Sequence, residues 1–214
     1  MMKSKKQKIL FSATSLLVLS LIVISTTGIG DGEKASAVSK DVKKTTPAYV
    51  VSQGHGITYE NFGELDMDTE LVVKGKKLNE EKVLLTKDEQ GLATDNRTLS
   101  GFWVEKVLKN EGDLNVKEGE TITVQENAAL DGNIVISSLG YQLMNNDEEY
   151  LLFLRPNLTE SGVYNIRGVY YGKVPTQEVQ GLTSQADLQF KGDQEEQAKL
   201  QTIFQDALDK YNNN

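Results

Sequence analysis

Thr98-Leu99-Ser100-Gly101-Phe102-Trp103-Val104-Glu105-Lys106-Val107-Leu108 is the stretch that decides the fold. Side chains alternate across a strand, so Thr98, Ser100, Phe102 and Val104 share one face, while Leu99, Gly101, Trp103, Glu105 and Val107 share the other. That is one long β-strand. Trp103 is expected in the core, with a ligand platform as the alternative. Working outward, Leu71-Val72-Val73, which continues through Gly75 toward Leu78, and residues 82–85 predict a hairpin upstream. The polar, Gly-broken stretch between Thr86 and Asn96 predicts a loop, and residues 109–119 a turn-rich connection. Thr121-Ile122-Thr123-Val124 alternates as a further strand. Residues 127–144 are less regular, with a short apolar run at Ile134-Val135-Ile136. Tyr150-Leu151-Leu152-Phe153-Leu154 is continuously apolar and stopped by Pro156, the pattern of the most buried strand. Residues 163–167 and 169–173, split by Gly168, predict a hairpin or a bent strand.

Helical spacing appears twice. Tyr59, Phe62 and Leu65 predict one short turn. Near the C-terminus, Leu200, Ile203, Phe204, Ala207, Leu208 and Tyr211 form a single apolar stripe, with Asp193 and Glu196 spaced as a capping box. The stripe is expected to pack on the body, and docking of a partner is the alternative. The fold class is therefore mainly β, a small OB-like (Greek-key) β-barrel with a C-terminal amphipathic helix. Its expected parts are a signal peptide over 1–37, a flexible N-terminal arm over 38–58 with a short strand at Tyr49-Val50-Val51, the barrel over 59–176, a linker over 177–192 and the helix over 193–212.

The N-terminus carries Lys3, Lys5, Lys6 and Lys8, then an uncharged apolar run, then Ala35-Ser36-Ala37. This is the layout of a secretory leader cut after Ala37, with an uncleaved anchor as the alternative. Cleavage would leave 177 of the 214 residues, enough for one domain. Five of the 23 basic and two of the 31 acidic residues fall in the leader, so the remainder has 18 against 29, a net charge of −11. Such a surface repels nucleic acid and anionic membrane. The chain has no Cys, which rules out a lipidated cysteine, disulfides, thiolate catalysis and cysteine metal sites. Residues 210–214 carry neither a hydrophobic tail nor a Leu-Pro-x-Thr-Gly sorting motif. The expectation is a protein secreted or at the outer face of the cell membrane, touching the membrane only through residues 1–29 if the leader stays.

The order of Asp68-Thr69-Glu70-Leu71-Val72-Val73-Lys74-Gly75, residues 102–109, residues 116–124, Glu149-Tyr150-Leu151-Leu152-Phe153-Leu154 and Val169-Tyr170-Tyr171-Gly172-Lys173 resembles that of small exported bacterial domains of unassigned function. Those domains look like the OB-fold barrels of netrin-like and tissue-inhibitor-of-metalloproteinase proteins. The resemblance implies a barrel that offers loops and one sheet face as a binding surface. It does not extend to zinc blocking, which in those inhibitors uses an N-terminal cysteine that this chain lacks.

The sequence offers few residues that could carry chemistry. His55 is the only histidine and sits between two glycines, too loosely for a catalytic base, so it reads as a linker residue. Glu64, Asp66, Asp68 and Glu70, or Asp147, Glu148 and Glu149, are the acids a histidine-independent glycoside hydrolase could use, and solvated edge charges are the plainer reading. Asp66-x-Asp68-x-Glu70 opens like a calcium loop, but Leu71 and Lys77 stand where an EF-hand needs Gly and Glu. A weaker surface calcium site at these three acids stays open. No phosphate cradle and no Gly-x-Ser-x-Gly occurs. No catalytic, cofactor-binding or metal-ligating residue is thus assigned, and no cofactor is expected. The expected function is a non-enzymatic extracytoplasmic binding module whose partner is a protein or a cell-envelope component. The alternatives are a secreted carboxylate-dependent hydrolase acting on cell-wall material and a protease-inhibitor-like domain.

Overall fold

The computed structural model describes residues 48–52, 55–176 and 194–211. The expected leader, the linker over 177–192 and the cap at Asp193 lie outside them. All described residues belong to one compact unit, Lys44–Asn214.

Among the described residues, nine strands and two helices follow one another: β1 (Ala48–Ser52), α1 (Phe62–Met67), β2 (Leu71–Lys87), β3 (Ala93–Asn110), β4 (Thr121–Glu126), β5 (Ala128–Asp131), β6 (Ile134–Ser138), β7 (Glu149–Pro156), β8 (Val163–Ile166), β9 (Lys173–Pro175) and α2 (Gln194–Tyr211). Strands β2, β3, β4, β8 and β7 form a ring, because β7 also pairs with β2. All neighbours are antiparallel except β4 and β8, which run parallel. A closed five-stranded ring removes the free sheet edges, which is how an OB-type barrel avoids edge pairing. The expected OB-like barrel with a C-terminal helix is the observed fold.

The alternation of β3 explains its role. Thr98, Ser100, Phe102 and Val104 are all buried on the inner face, opposite Glu126, Val124 and Ile122 of β4 and Gly75 of β2. Trp103 lies on the outer face and is 40% exposed, which corrects its expected place in the core. The interior position next to it is taken by Phe102. Residues 71–87 form one strand with several bulges rather than two pieces, and the expected loop between Thr86 and Asn96 contracts to a turn at residues 88–92.

Every residue from Tyr150 to Leu154 is buried. β7 needs apolar residues on both faces because its inner side fills the barrel and its outer side is covered. Phe153 meets Phe62 of α1 and Tyr211 of α2 edge-on, with ring centroids 5.9 and 5.8 Å away. The stripe of α2 buries Leu200, Ile203, Phe204, Ala207 and Tyr211, so it packs on its own body. Asn61 caps α1 by accepting from the Glu64 amide at 3.1 Å. Residues 127–144 supply two strands of a second, three-stranded sheet in the order β1-β6-β5, and part of the expected arm is its parallel edge strand β1.

Candidate functional site

Two polar constellations stand out, one inside the barrel and one on its wall. The interior one centres on Glu126, at the end of β4, with no exposed surface. Its carboxylate accepts from Ser100 Oγ at 2.5 Å, Tyr141 Oη at 3.0 Å and the Met144 amide at 2.6 Å, and pairs with Lys77 Nζ at 3.0 Å. Lys77 also donates to Met144 O at 2.8 Å. Lys173 donates to Gln142 O and stands 4.4 Å over the Tyr141 ring. Burial pushes the Lys173 ammonium down to about 7, against the attraction of Glu126. Burial and the neighbouring Glu126 push the Tyr141 phenol well up. The network ties residues 141–145 to the barrel. Its groups satisfy one another and have no route to a ligand, so it orders the core.

The second constellation is a cleft of about 230 Å³ where β4, β7 and β8 meet the turn after β8. Gln125, Asn165 and Arg155 form one row across the wall, since Gln125 is opposite Asn165 and Asn165 opposite Arg155. Their neighbours Val124, Glu126, Leu154 and Ile166 are buried, so strand alternation turns this polar row outward. Asn127 and Arg167 complete the polar lining, and Ile57, Ile166 and Val169 supply apolar wall.

The turn shapes the cleft. Gly168 has φ +59, and a Cβ there would meet the Tyr59 ring at 2.6 Å, so only glycine lets that ring lie against the turn. Val169 follows at φ 63, a left-handed conformation that a β-branched residue adopts only under strain of about 1–3 kcal/mol. Arg167 precedes them and is 5% exposed. It pairs with Asp68, which also accepts from Tyr59 Oη at 2.6 Å. Its Nε is buried without an acceptor among the described residues, a deficit of about 1–3 kcal/mol for a buried donor. Around the row, Gln125 Oε1 accepts from Arg97 at 3.2 Å, Asn157 donates to Asn165 at 3.2 Å, and Arg97 pairs with both Asp95 and Glu160.

The acids singled out from the sequence do not converge. Asp66 accepts from Lys210 at 2.7 Å and Tyr211 at 2.6 Å. Burial raises its carboxyl, but these bonds outweigh that and hold it below the usual range. Asp68 holds Arg167, Glu64 accepts from the Glu60 amide at 2.9 Å, and Glu148 accepts from Tyr150 and Asn145. Glu149 is buried in part, yet Thr176 and Lys74 keep its carboxyl low. Asp147 sits in a turn at φ 64, and His55 is exposed. Among the described residues no three acidic or histidine side chains gather as metal ligands, and no helix is long and apolar enough to cross a membrane.

Arg155, Arg167, Asn165, Gln125 and Asn127 belong to no motif or spacing in the sequence that singles them out. One signal is available: Arg155 and Pro156 end the continuous apolar run of β7, so a cation sits at the rim of a buried strand. No family model matches the chain, and no curated protein matches it.

Proposed function

We propose that this protein is a non-enzymatic binding module working outside the cytoplasm, with the cleft between β4, β7 and β8 as its recognition site. The observation that carries the reading is one concave patch of barrel wall lined by two arginines and three carboxamide residues. Pockets with a few placed polar groups beside apolar wall are the usual form of a ligand site. The acids a hydrolase would need are held instead in separate structural bonds to Lys210, Tyr211, Arg167, Lys74 and Thr176. Export rests on the leader-like N-terminus, and a cell-envelope component is the partner class that such a location supplies.

The test is saturation-transfer NMR of the purified protein against soluble peptide and glycan fragments of the producer's envelope. The expected result is binding that an Asn165→Ala, Arg155→Gln double variant loses while its fold is kept. Release of cleaved fragments would sink the non-enzymatic reading, and binding that the double variant retains would move the site elsewhere.

A further inference from the structure

The geometry points to a terminal carboxylate next to an amide, as at the C-terminus of a peptide or in an N-acyl amino acid, as the ligand chemistry of this cleft. The inference rests on the cleft being the recognition site. Arg155 makes no side-chain hydrogen bond or ion pair among the described residues. Arg167 lines the same cleft, is 5% exposed, and carries a buried Nε that no described residue accepts. Guanidinium is planar and always charged, and it matches the two oxygens of a carboxylate as no carboxamide does.

Charge decides between anions. The Arg167 cation is shared with Asp68, whereas Arg155 is uncompensated, which leaves the cleft close to one positive charge. Just beyond Gln125, Arg97 is outnumbered by its two acids, Asp95 and Glu160. A monoanion balances this patch. A phosphate dianion would leave excess negative charge in a chain already at −8.

Size and lining narrow the rest of the ligand. A cleft of about 230 Å³ is smaller than most drug-sized pockets and suits one or two amino-acid units. Gln125 is held at both ends, accepting from Arg97 and donating to Asn127, and Asn165 Oδ1 accepts from Asn157, whereas the Nδ2 groups of Asn127 and Asn165 have no acceptor among the described residues and can donate to an amide carbonyl. Ile57 and Val169 offer contact for a small aliphatic side chain. Gln125, Arg155 and Asn165 stand on paired strands and Val169 in the turn led by Gly168, so this part of the frame exists before the ligand arrives.

The experiment is a heteronuclear NMR titration of the isotope-labelled protein with N-acetyl-alanine and N-acetyl-alanyl-alanine, each as free acid and as amide, and with inorganic phosphate. Free acids should shift the amides of Arg155, Asn165 and Gly168 and bind at least tenfold more tightly than the amides and than phosphate. Tighter binding of the dipeptide acid would assign a peptide terminus, and equal binding an N-acyl amino acid. Arg155→Gln should cost at least tenfold, and Asn165→Ala, further from the carboxylate, provides a second variant whose spectrum reports folding. Equal affinity for acid and amide, preference for phosphate, or acid binding untouched by Arg155→Gln would each overturn the carboxylate assignment. If the small acids fail while envelope fragments still bind in the cleft, the ligand chemistry is wrong and the recognition site stands. If those fragments ignore the cleft variants, the recognition site itself falls.

Discussion

Lys173 is 4% exposed at the end of a barrel that also encloses Lys77 and Glu126, and that setting makes its proton a stability variable. Burial lowers the folded-state value to about 7 from an ordinary 10.5, with Lys77 opposing the charge and Glu126 and Glu148 favouring it. Between those two values the unfolded chain binds a proton that the folded chain does not, so stability rises with pH across the window. Below about 7 the ammonium is charged in both states, and its full burial penalty is present. Tyrosines set the upper bound: Tyr141, Tyr150 and Tyr211 are all pushed up by burial, so each opposes stability once the unfolded phenols ionise above about 10. Urea denaturation at pH 7, 8 and 9 should therefore show a midpoint that climbs in the native protein and is flatter in Lys173→Met. Parallel slopes in the two proteins would mean that Lys173 keeps its proton throughout.

At the scale of elements, β2 and β3 show which parts of the fold a sequence can announce. The alternation of Thr98, Ser100, Phe102 and Val104 announces an inner face because barrel interiors enforce a period of two. Trp103 obeys the same period and is carried outward, although its size suggests the core. Register shifts at Val72/Val73, Lys74/Gly75 and Lys77/Glu80 leave no such trace, since a bulge changes pairing without changing composition. One glycine marks where the strands press closest: a Cβ on Gly75 would lie 1.9 Å from Trp103 O and 2.9 Å from the Phe102 ring. Backbone cannot yield as a flexible side chain can, so Gly75→Ala should push β2 off β3 and destabilise by about 1–3 kcal/mol or more. Chemical denaturation measures it, and an unchanged midpoint would show that β2 and β3 do not approach so closely at this point.

For the whole molecule, closure of the ring decides both what the sequence concealed and what should be most stable. Arg155, Asn165 and Gln125 become neighbours only because β4 and β8 run parallel and β7 flanks β8, and no local spacing encodes that. Glu126 and Lys77 are likewise joined only by the barrel's interior. The strand carrying Arg155 is also the best anchored. β7 pairs with β2 along one edge from Leu71 to Lys76, and with β8 and β9 along the other. Among the described residues β1 pairs only with β6, and four of its five residues are exposed. Hydrogen exchange follows the cheapest opening available to each amide, so a strand held on one side opens locally while a doubly held buried strand waits for global unfolding. Native-state exchange should find the bonded amides of β7 protected to the global limit and those of β1 exchanging faster by on the order of 100-fold or more. Equal protection would mean that the β1-β6-β5 sheet and the barrel open as one unit. The expected difference matters for the cleft, because Arg155 directly follows the doubly held stretch from Glu149 to Leu154 and itself pairs with Asn165 of β8, so the cleft borders the slowest-opening frame and needs little ordering by a ligand.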